Sequence, residues 1–324
     1  MWANSKPMSR LVICLHLIAL TAVTALAGRN WTDVRAALCC RLETPPVIDG
    51  KLDDPAWRNL GPLGDLAGPG GQSGDLPTRL WVAHDDDNLY VALRCAEPRL
   101  EAVKAELTDV DADVFEEECA VVLLDPGHES RSRQFVELAA NLLATRHDAF
   151  NNDHEWNGAW RAAAQRGRDG WTMELSIPFS DLRARPVVGD LWGLQVGRYR
   201  NLDGEQRVFS WSPPGDGFWN PESFGHVVFD SLEQNLTRDV KRLEQRMAAD
   251  RAEVAHAIAQ LGPYQPDARA LMAAPAAVAQ VKQRLATGIA GADDWRELKA
   301  TIAGADRDYE DALWNLRLAQ LFAD

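Results

Sequence analysis

The middle of the chain, from about residue 38 to residue 230, contains short apolar stretches that alternate with polar turns. In Leu89–Cys95 apolar residues occupy every second position, which is the period of a half-buried β-strand. Leu80–Ala83 precedes it across an acidic turn, so the two stretches predict a β-hairpin. Further strands are predicted at Cys119–Leu124, Gln134–Ala140, Trp171–Ile177, Trp192–Arg198, Arg207–Trp211 and Gly225–Phe229. Regular short strands of this kind are typical of a β-sandwich with a jelly-roll or immunoglobulin-like fold.

After Ser231 the hydrophobic period changes to that of an α-helix. Apolar residues between Leu232 and Leu261 recur mostly at intervals of three, four and seven, and Gly262-Pro263 follows as a stop signal. Two or three further helices are predicted, at roughly 266–289, 292–303 and 306–322. The pattern therefore predicts a mainly β protein, with a sandwich over residues 28–230 and an all-α region over residues 231–324.

The N-terminal segment has the pattern of a secretory signal peptide. Lys6 and Arg10 precede the apolar run Leu11–Leu26, and Ala25-Leu26-Ala27 fits a cleavage site. We therefore predict a signal peptide over residues 1–27 and a secreted, periplasmic or cell-surface protein. Later apolar runs fall short of the ~18 residues of a membrane helix, so no membrane insertion is expected after cleavage.

Composition narrows the classes of partner. The 324 residues include 34 basic and 48 acidic side chains, a net charge of −14, which argues against nucleic acid and anionic lipid. Twelve tryptophans are a high number, and tryptophan offers a flat apolar surface for stacking. Cysteine usage leaves two readings open: a disulfide, for example from Cys39 or Cys40 to Cys95, or buried free thiols on strands that include Cys119.

Five sequence strings, in this order, carry a family resemblance: Pro46–Trp57, Trp81–Tyr90, Phe115–Asp125, Gly170–Phe179 and Trp211–Gly225. Together they resemble carbohydrate-binding module family 9 and its family-9-like relatives, which are DOMON-like β-sandwiches. The resemblance covers residues 40–230 or so. It implies a domain that binds sugar without cleaving it, and in which bound calcium is structural.

The resemblance also implies a sugar site, in which two aromatic side chains hold a terminal sugar between them. The first aromatic position corresponds to Phe115 and the second to Phe218 or Trp219, while strand positions supply polar contacts. Val121 and Ala139 stand where glucan-binding members carry Glu and Arg, which indicates a divergent ligand. The resulting candidate binding residues are Phe115, Asn141, Gln195, Arg198, Trp211, Phe218 and Trp219.

Catalysis has little support in the sequence. A glycosidase needs two carboxylates at a defined separation. The candidates are Glu116, Glu117, Glu118 and Glu174, but nothing in the sequence selects two of them as a catalytic pair. No catalytic residue, catalytic cofactor or catalytic metal is predicted. The acidic runs Asp85–Asp87 and Asp109–Asp113 could hold a structural calcium ion.

Three functions follow from these patterns. The first is a secreted, non-catalytic protein of carbohydrate catabolism that binds a polysaccharide or oligosaccharide through loop aromatics. The second is a periplasmic or cell-surface interaction protein whose helical tail docks a protein partner, which an uncovered apolar stripe on the long helix would favour. The third is a carbohydrate-active O-glycosyl hydrolase.

Overall fold

The structure is a computed structural model that describes residues 31–68, 76–128, 135–212, 217–261 and 266–321. The predicted signal peptide lies outside the described residues. The strands are β1 (Ala36–Arg41), β2 (Thr78–His84), β3 (Asn88–Ala96), β4 (Cys119–Asp125), β5 (Val136–Asn141), β6 (Arg146–Phe150), β7 (Arg161–Arg166), β8 (Gly170–Pro178), β9 (Leu191–Leu202), β10 (Glu205–Ser210) and β11 (Gly225–Phe229). The α-helices are α1 (Pro55–Asn59), α2 (Leu232–Leu261), α3 (Pro266–Thr287) and α4 (Ala292–Leu321).

The described strands form two sheets that share strand β1. Sheet I has the order β6-β5-β4-β9-β11-β1, with β10 paired to the distal half of β9, and sheet II has the order β1-β2-β3-β8-β7. The first part of β1, Ala36–Cys39, pairs in parallel with β11, and its end, Cys40–Arg41, pairs in parallel with β2. The predicted β-rich fold, followed by helices, is confirmed.

Apolar side chains from the inner faces of both sheets form one core. Its members alternate along the strands with residues that point away, as the period-two pattern predicted. Examples from sheet II are Leu80, Val91 and Leu93, and examples from sheet I are Val122, Leu138 and Val196. Because both sets belong to one cluster, the two sheets pack face to face around this core.

A turn and a short helix cover part of the outer face of sheet II. Asp49 and Gly50 form the predicted turn, where Gly50 has φ +83° and a Cβ would lie 2.7 Å from the backbone of Ala164. The carboxylate of Glu174 accepts hydrogen bonds from the Gly50 amide at 2.8 Å and from the indole Nε1 of Trp57 at 2.6 Å. Glu174 therefore fixes α1 against the sheet.

Helices α2, α3 and α4 form a separate compact unit from Leu236 onward. Ion pairs join the helices, among them Arg246–Asp306 at 2.7 Å and Lys282–Glu244 at 2.8 Å. The sequence analysis predicted two or three helices after α2, and the described residues contain two, because helix α4 is continuous through residue 304. A single glycine lowers helix propensity by about 1 kcal/mol relative to alanine but keeps its backbone N–H, so Gly304 does not end the helix.

The apolar stripe of α2 is largely covered. Leu236, Val240, Leu243 and Ala257 are buried, so the exposed stripe that would favour partner docking is not seen on this part of the helix. The described helices also lack the combination of length and hydropathy that a membrane-spanning segment requires.

The four cysteines of the described chain are free thiols, so the disulfide prediction was wrong and the buried-thiol prediction is confirmed for Cys95 and Cys119; Cys39 is a buried free thiol as well. Cys40 is partly buried. Burial raises the pKa of the Cys95 thiol to about 12, which keeps the thiol protonated near neutral pH.

Candidate functional site

Strand alternation gives sheet I two faces of different chemistry. On β9, Leu194, Val196 and Arg198 point to the inner core, while Gln195, Gly197 and Tyr199 lie on the outer face. Pairing places Gly197, Val121, Ala139 and His147 in one row across β9, β4, β5 and β6. The floor of the outer face therefore contains the small and apolar side chains of Val121 and Ala139, at the two positions where the resemblance would place Glu and Arg.

A cluster of aromatic rings covers this floor. We call it the aromatic face, and its members are Phe115, Phe135, Tyr199, Phe218 and Trp219. The Trp219 ring lies edge-on to Phe115 at 5.7 Å between centroids and is stacked with Phe135 at 6.5 Å. Trp219 keeps 37% of its surface exposed and Phe115 is half-buried, whereas the other three rings are buried. The ligand-accessible part of the cluster is thus Trp219 with part of Phe115.

Phe115 is held in a short turn of 3-10 helix before β4. Its carbonyl oxygen accepts hydrogen bonds from the side-chain amides of Asn201 at 2.9 Å and Gln206 at 3.0 Å. The Glu117 carboxylate accepts from the backbone amide of Glu106 at 2.8 Å. The loop that carries Phe115 is therefore tied to β9 and β10 through the Phe115 carbonyl and to the preceding loop through Glu117.

Glycine geometry positions the second aromatic segment. Gly217, at φ +132°, begins the turn that carries Phe218 and Trp219. The Phe218 ring lies directly over Gly197, where a Cβ would come within 2.5 Å of the ring carbon Cζ. Because a side chain at residue 197 would displace Phe218, Gly197 determines how deeply this segment sits on the face.

Two polar side chains lie beside the aromatic rings. Glu137 of β5 is on the same side of its strand as Ala139, and its Oε1 is 3.7 Å from Nε2 of His147. The His147 ring makes an edge contact with Phe115 at 5.3 Å. Burial raises the pKa of the Glu137 carboxyl to about 7, so it is a hydrogen-bond donor as well as an acceptor around neutral pH.

Three of the seven candidate residues come together on the aromatic face: Phe115, Phe218 and Trp219. Asn141 and Gln195 lie below them and are fully buried. The amide of Asn141 donates to Leu107 O and to Glu117, both at 2.9 Å, and its oxygen accepts from two backbone amides. The Gln195 side chain pairs with the backbone of Ser212 through two 3.0 Å hydrogen bonds. Their hydrogen bonds therefore serve the protein interior.

The structure does not bring Arg198 and Trp211 to this face. Both are fully buried on the inner side of the sheet. The Arg198 guanidinium binds Glu118 at 2.6 Å and Glu97 at 3.0 Å, between the two sheets. Trp211 packs against Gly225, where a Cβ would lie 2.4 Å from the indole ring. We therefore leave both residues out of the candidate site.

Comparison with known families adds to this geometry. Residues 48–232 match the model of a family described as carbohydrate family 9 binding domain-like, and the match spans more than half of the chain. The chain belongs to this family. The resemblance that the five sequence strings carried is thereby confirmed.

A solved family 9 structure shares the fold of this family-9-like chain. A carbohydrate binding module of family 9 from Caldicellulosiruptor kristjanssonii, in complex with cellotriose, is 16% identical with a TM-score of 0.50, over 61% of this chain and 94% of that chain. A family 9 module from the same organism, in complex with glucose, is 15% identical with a TM-score of 0.49, over 60% and 95%. No match to a curated protein was found.

The sequence analysis missed four residues of this family-9-like face: Phe135, Glu137, His147 and Tyr199. Parity along β5 and β9 was a usable signal, because Glu137 is two residues from Ala139 and Tyr199 is two residues from Gly197. No signal of this kind in the sequence predicts the contact of His147 with Phe115, because that contact depends on how β5 and β6 pair. The fold of the loops above the sheet was equally hidden.

The carboxylates named as hydrolase candidates are mostly engaged within the family-9-like domain. Glu174 holds the Gly50 turn, Glu117 holds the Phe115 loop, and Glu118 binds Arg198 and the Trp171 indole at 2.8 Å. In the ranges that the structure describes, no group of three His, Cys, Asp or Glu side chains could hold a metal ion. The structural calcium ion stays a prediction, and the turn carboxylate of Asp85 accepts from Tyr90 and from backbone amides.

Proposed function

We propose that this chain is an exported, non-catalytic carbohydrate-binding protein that stacks a sugar ring on Trp219 and Phe115. The observation that carries the proposal is the exposed Trp219 ring beside the half-buried Phe115, on the outer face of a family-9-like sandwich. Pyranose rings have apolar C–H faces that pack against aromatic planes. This contact requires neither a nucleophile nor a metal ion.

Glu137 and His147 supply the hydroxyl contacts in this proposal. They stand at the β5–β6 side of the aromatic face, next to Phe115, with a separation of 3.7 Å between Glu137 Oε1 and His147 Nε2. A sugar hydroxyl both donates and accepts, and so do a carboxyl group of raised pKa and an imidazole. Because Val121 and Ala139 offer no polar atoms, we expect a ligand that differs from those of members with Glu and Arg at these positions.

The setting of this activity is part of the proposal. The N-terminal pattern of residues 1–27 favours export, and family 9 modules are typical of secreted proteins that take part in polysaccharide breakdown. We infer a role in carbohydrate catabolism, in which this domain brings its partner polysaccharide or oligosaccharide close to separate enzymes. The helical region stabilises the protein or serves a protein partner.

A glycan array and affinity electrophoresis test the function directly. The mature protein, residues 28–324, is screened beside Trp219→Ala and Phe115→Ala against neutral plant, algal and bacterial polysaccharides. We expect binding to fall roughly thirtyfold in Trp219→Ala, because an exposed tryptophan at the centre of a binding face contributes about 2 kcal/mol. Phe115→Ala should weaken binding less, since the Phe115 ring is already half-buried.

Trp314→Ala is the matched control. Trp314 is 45% exposed on helix α4 and lies outside the aromatic face, so its removal should leave affinity unchanged. Circular dichroism checks that each variant is folded. Absence of binding to every neutral glycan, or equal loss in Trp219→Ala and Trp314→Ala, would contradict the proposal.

A further inference from the structure

A cavity of about 560 Å³ opens on the outer face of sheet II, the sheet that does not carry the aromatic face. It lies beyond the part of sheet II that the Gly50 turn and α1 cover. Strand pairing places Arg79, Arg94, Thr172 and Gln165 in one row across β2, β3, β8 and β7, and all four line this cavity. Arg166 lines it at the end of β7. We call this site the arginine groove.

The charge of the groove is unusual for this chain. Arg79 and Arg94 are direct cross-strand partners, an arrangement of like charges that destabilises a sheet. Three arginines and a single acidic residue, Asp169, line the cavity, although the whole chain carries a net charge of −14. A cationic groove attracts anions even when the net charge of the protein is negative.

The arginines of the groove have few carboxylate partners of their own. The nearest carboxylate to Arg79 is Asp65 at 3.8 Å, and both side chains are about half exposed. Within the described part of the chain, Arg94 makes no ion pair. The Arg166 guanidinium donates to the carbonyl oxygens of Leu100 and Val103 at 3.0 and 3.2 Å, which fixes its position without neutralising its charge.

The floor of the groove is rigid. Gly170 has φ +151°, and a Cβ there would lie only 2.0 Å from the carbonyl oxygen of Cys95. Trp171 and Cys95 also line the cavity, and both are buried in the core. The arginine side chains therefore project from a fixed strand platform, which lowers the ordering cost of binding a ligand.

We propose that the arginine groove binds an acidic saccharide through an oxyanion, either a uronate carboxylate or a sulfate ester. Planar guanidinium groups recognise carboxylate and sulfate oxygens through paired hydrogen bonds. A cavity of about 560 Å³ accommodates one or two sugar rings. Gln165 lies in the same row to meet hydroxyl groups, and the Thr172 hydroxyl, which donates to Gly50 O at 2.6 Å, can still accept a hydrogen bond. This site is separate from the aromatic face, and its oxyanion binding does not depend on the proposed function of that face.

Isothermal titration of the full mature chain tests the groove. The probes are trigalacturonate, a sulfated galactan oligosaccharide, a neutral galactan oligosaccharide of matched length, and sodium sulfate. The double variant Arg79→Gln/Arg94→Gln keeps hydrogen-bonding capacity and removes two charges. Arg251→Gln is the matched control, because Arg251 is an exposed arginine on helix α2.

The expected result is binding of one or both acidic oligosaccharides, weakened at least tenfold in the double variant and unchanged in Arg251→Gln. Binding should also weaken between 50 and 200 mM salt, as it does for any charge-based contact. Trigalacturonate and the sulfated oligosaccharide separate the two oxyanion sources. Trp219→Ala should retain acidic binding, so failure of the aromatic face and failure of the groove give different results.

Several outcomes would overturn the assignment. Equal affinity for neutral and acidic oligosaccharides would show that the oxyanion does not contribute to binding. Acidic binding that survives in the double variant would place the site elsewhere. Sodium sulfate that binds as tightly as the oligosaccharides would mean that the groove holds a free anion rather than a saccharide, and absence of binding by all three anionic probes would exclude the site.

Discussion

The two faces of sheet I use polar residues in opposite ways. On the inner face, Arg198 is fully buried and its guanidinium binds both Glu97 and Glu118. On the outer face, Glu137 faces His147 at 3.7 Å, a distance too long for a hydrogen bond, and retains a raised pKa. Arg198 on the inner face is thus fully hydrogen-bonded, whereas Glu137 and His147 on the outer face keep unused hydrogen-bonding capacity.

This difference separates residues that maintain the fold from residues that remain available to a ligand. A buried polar group whose donors and acceptors are all occupied has nothing left to offer a sugar. A half-buried polar group that keeps an unused donor or acceptor, and that lies next to an exposed aromatic ring, can still hydrogen-bond to a sugar. The criterion places Arg198 and Asn141 with the scaffold and places Glu137 and His147 with the site.

The largest effect is expected from Arg198→Ala. The change leaves Glu118 in the core without its cation, whereas Glu97 keeps the Arg200 guanidinium at 2.6 Å. Loss of one partner from a buried ion pair costs about 3–5 kcal/mol. Burial already raises the pKa of Glu118, so that carboxyl should take up a proton in the variant. Urea denaturation measures the free energy of unfolding, and a loss below about 1 kcal/mol would break the comparison between the faces.

A smaller but informative effect is expected from Asn141→Ala. The substitution removes four hydrogen bonds around the loop of Phe115 and should cost about 2–3 kcal/mol of stability. Because the loop carries an aromatic ring of the site, sugar affinity should fall together with stability. Urea denaturation and titration with the ligand found for the wild type give the two values. Lost affinity at unchanged stability would instead mean that Asn141 contacts the sugar directly.

The smallest effect concerns Glu137 and depends on pH. Because burial raises its pKa to about 7, the folded protein holds this proton more tightly than the unfolded chain does. The resulting stability is fully present below the ordinary pKa of 4.5 and is lost as the pH rises through 7. Glu137→Gln should therefore be more stable than the wild type by roughly 1–2 kcal/mol at pH 8 and similar to it at pH 4.

Melting curves at the two pH values measure this difference. Glu205→Gln is a matched control, because Glu205 is an exposed glutamate at the start of β10. An equal difference between Glu137→Gln and the wild type at both pH values would show that the carboxyl does not titrate in this range.

The sequence predicted the secondary structure well where apolar and polar residues alternate with a regular period. Alternation in Leu89–Cys95 and helical spacing after Ser231 predicted the strands and the long helix, because those periods report directly on which side is buried. The position of Arg198 was also within reach, since it is three residues from Gln195 on one strand and must therefore face the other way. Transfer by resemblance alone placed both residues in the same site.

Other features depend on contacts that a linear pattern does not contain. The approach of His147 to Phe115 requires β6 to pair with β5 in one register, and the depth of Phe218 depends on the absence of a side chain at Gly197. The arginine groove is similar, because Arg79, Arg94 and Gln165 become neighbours only when four strands align. Such sites are set by long-range pairing and not by local propensity.

The shared strand β1 has a consequence for the order in which the protein can fold. Ala36, near the start of the described chain, pairs with His226 of β11, the last strand, so sheet I cannot close until nearly all of the β-rich part is present. Pairing over such a sequence separation carries a high loop-closure cost and slows folding. A nascent chain of this topology therefore keeps sheet I open until β11 has been synthesised, which is compatible with the export that we propose.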